Sequence, residues 1–117
     1  MVKHNFRKLK IWSNSIDLVF KTYKITKQFP DSERYGLTNQ LNRCAVSIPS
    51  NIAEGSSKSS NKHFKNFLEM SLGSAFEWEN QIIIAHGLEY IKNEDYKELI
   101  KNIHEIQKMI SSFKEKI

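Results

Sequence analysis

The chain has 117 residues, 39% of them hydrophobic, 26% charged and 11% aromatic, which is enough for one domain with its own core. Two prolines and four glycines argue against collagen-like, low-complexity and turn-rich all-β classes. A single cysteine, Cys44, excludes an intrachain disulfide framework or a multi-cysteine zinc site, and fits a reducing compartment. The net charge of +5 is uneven: residues 1–68 hold 12 Lys/Arg against 4 Asp/Glu, and residues 69–117 hold 6 against 9. Such a split permits an anionic partner such as nucleic acid, or self-association between opposite charges.

A basic arm over residues 3–10, anchored by Phe6 and Leu9, precedes a first helix predicted over 11–28. Trp12, Ile16, Val19 and Tyr23 step by four, three and four, the spacing of a core-facing stripe, while Ile11, Leu18 and Ile25 recur every seven residues on an adjacent face. Phe29-Pro30 ends this helix, because the residue before proline avoids the α region. A second helix is expected over 36–54, with Leu37, Leu41, Cys44, Ile48 and Ile52 on its seam and a kink at Pro49. Gly55 suits a left-handed C-cap, and Ser56 to Asn61 form the longest polar stretch, a candidate mobile loop.

The third helix, over 61–86, carries Phe64, Leu68, Ser71, Ala75, Trp78, Ile82 and Ala85, with Ser60 or Asn61 as its cap and Gly87 as its stop. The fourth, over 94–116, is capped by Asn93 and has a strict heptad seam: Tyr96, Leu99, Ile103, Ile106, Ile110, Phe113 and Ile117. No segment alternates as a strand does. The pattern predicts an all-α fold, an antiparallel up-down four-helix bundle with a short basic N-terminal arm, in one domain over 1–117. Ile11, Leu18, Ile25, Phe76 and Ile83 exceed one apolar stripe per helix. They fit either a broad core crossed by the arm or a subunit interface, since soluble monomers rarely expose large apolar patches.

Catalytic constellations are not found. A di-metal centre needs Glu-x-x-His, but Ser60, Ile83 and Lys101 stand three positions before His63, His86 and His104. No histidine follows Arg7, Arg34 or Arg43 at the four-to-six-residue spacing of a helical ribonuclease, and Gly55 to Ser60 lacks the second glycine and the strand of a phosphate loop. Cys44 reads as a small core hydrophobe. The expectation is a protein that is not an enzyme and needs no cofactor or metal. A polar stripe on the second helix remains: Gln40, Arg43, Ser47, Ser50 or Asn51, and Glu54. It either satisfies the backbone around Pro49 while Arg43 pairs with Glu54, Glu77 or Glu79, or meets phosphate or a partner subunit. Arg7, Lys8 and Lys10, with Lys58, Lys62 and Lys65, form a candidate basic footprint for nucleic acid. With no membrane-length apolar run and no signal-peptide block at the N-terminus, a cytoplasmic protein is expected.

The segment from Tyr35 through Leu37-Thr38-Asn39-Gln40-Leu41-Asn42-Arg43-Cys44-Ala45-Val46-Ser47-Ile48-Pro49-Ser50-Asn51-Ile52-Ala53-Glu54 to Gly55 resembles the signature of the bacterial 23S rRNA intervening-sequence (S23) proteins. Phe6-Arg7-Lys8-Leu9-Lys10-Ile11-Trp12, Leu72 to Glu79 and Gly87 to Ile91 are similar to its opening, third helix and following turn. Asn42 stands where that family usually has a second arginine, and Cys44 where it has a small residue. The resemblance implies an up-down bundle in a ring-shaped homopentamer without catalytic residues. It also implies a nucleic-acid-binding role that leans toward RNA, in a family with a branch that contacts RNA or DNA and a reverse transcriptase. A protein-interaction scaffold with no nucleic-acid role is the alternative reading.

Overall fold

The computed structural model describes residues 4–117; Lys3 of the basic arm lies outside them. A 3₁₀ turn over Phe6–Lys8 leads into α1 (Lys10–Thr26), a second 3₁₀ turn at Asp31–Glu33, α2 (Leu37–Ser56), α3 (Asn61–Gly87) and α4 (Asn93–Lys116). The fold is an all-α four-helix bundle, 48 Å long and 25 by 19 Å in section. Cross-helix bonds give the directions. Ser71 Oγ donates to the Ile48 carbonyl and Cys44 Sγ to that of Ser74, so α2 and α3 run antiparallel. Lys114 reaches Glu69 while His104 and Gln107 reach Glu79, which makes α3 and α4 antiparallel too. The pairs Asn14–Met109 and Lys21–Asn102 close α1 on α4 in the same sense.

The seams of α2, α3 and α4 fold as their spacing predicts. Leu41, Cys44, Ile48 and Ile52, all seven predicted positions of α3, and Leu99, Ile103, Ile106 and Ile110 are buried. The first helix is rotated from its expected setting. Ile11, Leu18 and Ile25, at 4%, 1% and 8% exposure, are core residues and not an interface. Trp12, Ile16 and Val19 are half-buried instead, and Tyr23 is exposed. The cause is that Ser15 and Thr22, polar by composition, sit on the buried face. Their hydroxyls donate back to the carbonyls of Ile11 and Leu18 at 2.6 Å, which hides their polarity within the helix. Thr22 Oγ1 then accepts the indole N–H of the fully buried Trp78 at 3.0 Å. A stripe that looked interrupted is a satisfied core face.

The glycines also differ from expectation. Gly55 lies inside α2, not in a left-handed cap, and a Cβ there would fall 2.6 Å from the Cβ of Phe67 and 2.9 Å from Phe64 Cδ1. It is a point of close approach between α2 and α3. Gly87 is the last residue of α3, and the left-handed position belongs to Glu89, at φ 65°. The amides of Glu89 and Tyr90 donate to His86 and Ala85, which forms a Schellman closure around a non-glycine residue. The helix α2 passes through Pro49 as one element, and the polar stretch after it condenses to a short turn in which Lys58 N–H donates to the Gly55 carbonyl. Ser60 caps α3 through the amide of His63, as predicted. Asn93 is the first residue of α4 and its carboxamide engages His86; it does not cap the helix.

Candidate nucleic-acid interface

Alternating helix directions bring the starts of α1 and α3 and the ends of α2 and α4 to one end of the bundle. The arm is fastened there by aromatic contacts. The His4 ring lies 5.0 Å from that of Phe64 and 5.8 Å from that of Phe113, and Phe6 meets Trp12 edge-on at 5.1 Å. Asn5 caps the turn through the Arg7 amide. Arg7, Lys8 and Lys10 are thereby held across the same end as Lys58, Lys62 and Lys65.

Two further cations join them. Lys114 and Lys116, in the last turn of α4, belong to the half of the sequence with net negative charge, yet the up-down topology delivers them to the basic end. Lys62, Lys65 and Lys114 border one shallow cleft with Asn61, Asn66 and Glu69. Glu69 takes Lys114 at 3.3 Å, an exposed pair of small energetic consequence. Lys58 packs its ammonium 4.9 Å above the Phe67 ring and Arg7 lies 5.5 Å over Phe6, which fixes both without neutralising them. No ion pair to Lys62 or Lys65 occurs among the described residues. The N-terminus of α3 adds its positive dipole to this surface.

Arg43 does not belong to it. The guanidinium is carried on the middle of α2, twelve residues before Gly55 and so about 18 Å along the axis. It borders a groove between α2 and α3 with Gln40, Ser47, Glu77 and Gln81. The predicted pairing with Glu54, Glu77 or Glu79 is not made among the described residues. The neighbouring stripe is partly structural: Ser47 Oγ donates to the Cys44 carbonyl at 2.7 Å and Asn51 Nδ2 to that of Ser47 at 2.9 Å. Gln81 Oε1 is buried without a partner. Burial, followed by the nearby Glu77 carboxylate, pushes the Cys44 thiol up to about 12, so it stays protonated at neutral pH.

The lateral surfaces carry apolar side chains on opposite sides. Phe76 and Ile83, 56% and 47% exposed, flank Glu79, whose contacts to His104 and Gln107 mark the α3/α4 face. On the other side, Thr26 bonds Asn42 across α1 and α2, and Tyr23, Val19 and Trp12 follow on that flank of α1, with Phe20 on its outer ridge and Val46 on α2. Of the five residues expected at an interface, the structure leaves Phe76 and Ile83 exposed and puts Phe20 and Tyr23 where Leu18 and Ile25 were expected.

Residues 7–112 match the family model described as 23S rRNA-intervening sequence protein. The chain belongs to that family. No curated protein matches it. Among solved structures it is similar to a protein of unknown function from the S23 ribosomal protein family of Bacteroides thetaiotaomicron VPI-5482. The two are 25% identical, the match covers 89% of this chain and 97% of that one, and the TM-score is 0.83. The helix-two segment that resembles the family ends at Gly55, where α2 and α3 leave no room for a Cβ, and this ties part of the resemblance to packing.

Proposed function

We propose that the protein is a non-catalytic, oligomeric nucleic-acid-binding module that prefers RNA, and that its phosphate-binding surface is the basic end of the bundle. The observation that carries this reading is the convergence of Arg7, Lys8, Lys10, Lys58, Lys62, Lys65, Lys114 and Lys116 on one end, from three separate stretches of sequence. Phosphate neutralisation by such a cluster is sequence-independent and weakens steeply with salt. The non-catalytic reading rests on the groups that could do chemistry being otherwise engaged. His86 stacks on Tyr96, His104 is bonded to Glu79, His63 is bonded to Ser60, and the lone thiol is held protonated.

Self-association, into a ring of five as the family resemblance implies, is supported by the two opposed apolar faces. A contact between two different faces of identical chains is heterologous, and it makes a ring when the rotation between neighbours closes and a filament when it does not. A cytoplasmic setting accords with the free thiol, and no helix among the described residues is long and apolar enough to cross a membrane. The same apolar faces favour a second reading, a protein scaffold whose partner could be a reverse transcriptase.

Fluorescence polarisation with labelled RNA and DNA distinguishes the two. The module reading expects affinity that falls at least a hundredfold between about 50 and 200 mM salt, and that is lost in Lys62→Glu/Lys65→Glu. Absence of binding to either nucleic acid at low salt, together with a freshly purified protein whose absorbance ratio does not change on nuclease treatment, would leave the scaffold.

A further inference from the structure

The groove between α2 and α3, about 480 Å³ in volume, has two walls of opposite hydrogen-bonding chemistry. Arg43 on the α2 wall can only donate, and Glu77 on the α3 wall can only accept. They do not neutralise one another, since no ion pair joins them among the described residues. Glu77 Oε1 stands 3.5 Å from Cys44 Sγ, which leaves Oε2 unbonded among the described residues. Gln81 lines the same wall at 8% exposure, and its Oε1 is buried with no partner. Leaving a buried acceptor unpaired is costly, so this oxygen marks a place where a donor belongs.

The heights of these groups follow from the bonds between the helices. Ser71 is level with Ile48 and Ser74 with Cys44. In this antiparallel pair the step from Glu77 to Gln81, about 6 Å along α3, therefore runs beside the α2 residues that lead back from Arg43 to Asn39. A ligand in the groove must turn acceptors toward α2 and at least two adjacent donors toward α3.

We propose that this groove takes a guanine base, with Arg43 donating to O6 and N7, Glu77 accepting from N1–H and the N2 amine, and Gln81 Oε1 accepting the second amine hydrogen. The inference deepens the nucleic-acid reading above and rests on it for the choice of a nucleobase. Guanine alone among the four bases carries paired acceptors on one edge and paired donors on the next. Adenine and cytosine turn a ring-nitrogen lone pair toward the carboxylate, and uracil has a single N–H to offer it. The edge that Glu77 reads is covered in a duplex, so in RNA the base is an unpaired one, as in loops and bulges. Arg43 lies about 18 Å along the axis from Gly55, near the basic end, which is about five nucleotides of a stacked strand. Phosphates on the basic end would thus hold the strand while the groove reads one base of it.

The test titrates the full chain, by calorimetry, with the monophosphates of guanosine, adenosine, cytidine, uridine and inosine, the last lacking the N2 amine. In parallel, fluorescence polarisation compares a single strand of about 15 adenosines with the same RNA carrying one central guanosine. The wild type is expected to favour guanine at least tenfold over the other bases, and inosine to fall below guanosine. Glu77→Gln and Arg43→Gln alter exposed side chains outside the core, and each is expected to abolish the preference. Lys62→Glu/Lys65→Glu is expected to keep it while weakening the strand. A preference for the guanine-bearing strand identifies an unpaired guanine of RNA as the source. A preference among nucleotides with no strand bound identifies a free nucleotide, and removes the nucleic-acid reading while the groove stands. Strands that bind with no guanine preference in either format overturn the groove and leave nucleic-acid binding standing. A preference that survives both groove variants, or variants that change only the sedimentation of the chain, overturns it as well. Failure of every strand and nucleotide to bind overturns both.

Discussion

Replacing Gly55 with alanine places a methyl group against the fixed Cβ of Phe67 at 2.6 Å and the ring of Phe64 at 2.9 Å. The Phe67 Cβ is attached to the α3 backbone and cannot turn aside, so α2 and α3 must separate by about 1 Å to restore ordinary contact. Overpacking of this kind costs about 2–3 kcal/mol. Against it stands the gain of about 1 kcal/mol from alanine over glycine in a helix interior. The net expectation is a loss of about 1–2 kcal/mol, or a fall in Tm of roughly 4–8 °C for a domain of this size. Gly73 provides the control: it is exposed on α3 and an added Cβ there meets nothing within 4 Å. Gly73→Ala is expected to stabilise by about 0.5–1 kcal/mol. Thermal and urea denaturation followed by circular dichroism at fixed protein concentration measures both, because association would shift apparent stability. Equal or greater stability for Gly55→Ala would refute the close-approach reading, and a destabilised Gly73→Ala would refute its control.

Four further outcomes follow from other sites. Thr22→Val leaves the indole N–H of Trp78 buried without its acceptor, at an expected cost of about 1–3 kcal/mol in the same denaturation assay. Glu89→Gly relieves a left-handed residue and is expected to raise stability by about 0.5–1 kcal/mol, the reverse of glycine's usual effect. With the Cys44 thiol raised to about 12 from 9.0, its thiolate fraction near pH 8 is roughly a thousandfold below that of an ordinary thiol, so alkylation should follow unfolding rather than solvent exposure. Glu79 is held below its usual 4.5 chiefly by the Gln107 hydrogen bond and then by His104. A lowered carboxylate pKa adds stability above the unfolded value and loses it as pH falls through the folded one, so Glu79→Gln should flatten the acid limb of a stability profile below pH 4.5.

Much of the fold is legible in the sequence because three helices obey a simple apolar period with small or aliphatic residues on the seam. Helix α1 departs from it because Ser15 and Thr22 count as polar in any pattern, while in place their hydroxyls are spent on carbonyls four residues back. No periodicity distinguishes such a hydroxyl from one facing water. The exchange of core and interface residues on α1 follows from that single ambiguity. The basic end was half legible: the clusters around Lys8 and Lys62 are visible as local charge, but Lys114 and Lys116 join only once helix directions are known. Dividing the charge by sequence halves therefore cut across the real division, which runs along the bundle axis. Arg43 shows the converse, a cation that belongs to a resembling segment yet stands apart in space. Glu89 could not be anticipated, since glycine two residues earlier offered the more obvious turn.

The axial separation of charge has a consequence for how the protein meets a partner as well as for where it binds. A body 48 Å long whose net positive charge is gathered at one end, Lys24, Lys27, Arg34 and Lys92 at the other being balanced by Asp31, Glu33, Glu89, Glu94 and Asp95, behaves as an electric dipole in the field of a polyanion. Torque acts before contact, turning the long axis so that the basic end leads. The field reaches only about 8 Å at physiological ionic strength, so orientation is imposed during the last few ångströms of approach. Encounter rates should then depend on salt more than dissociation rates do, and the protein should arrive end-on rather than sample its flanks.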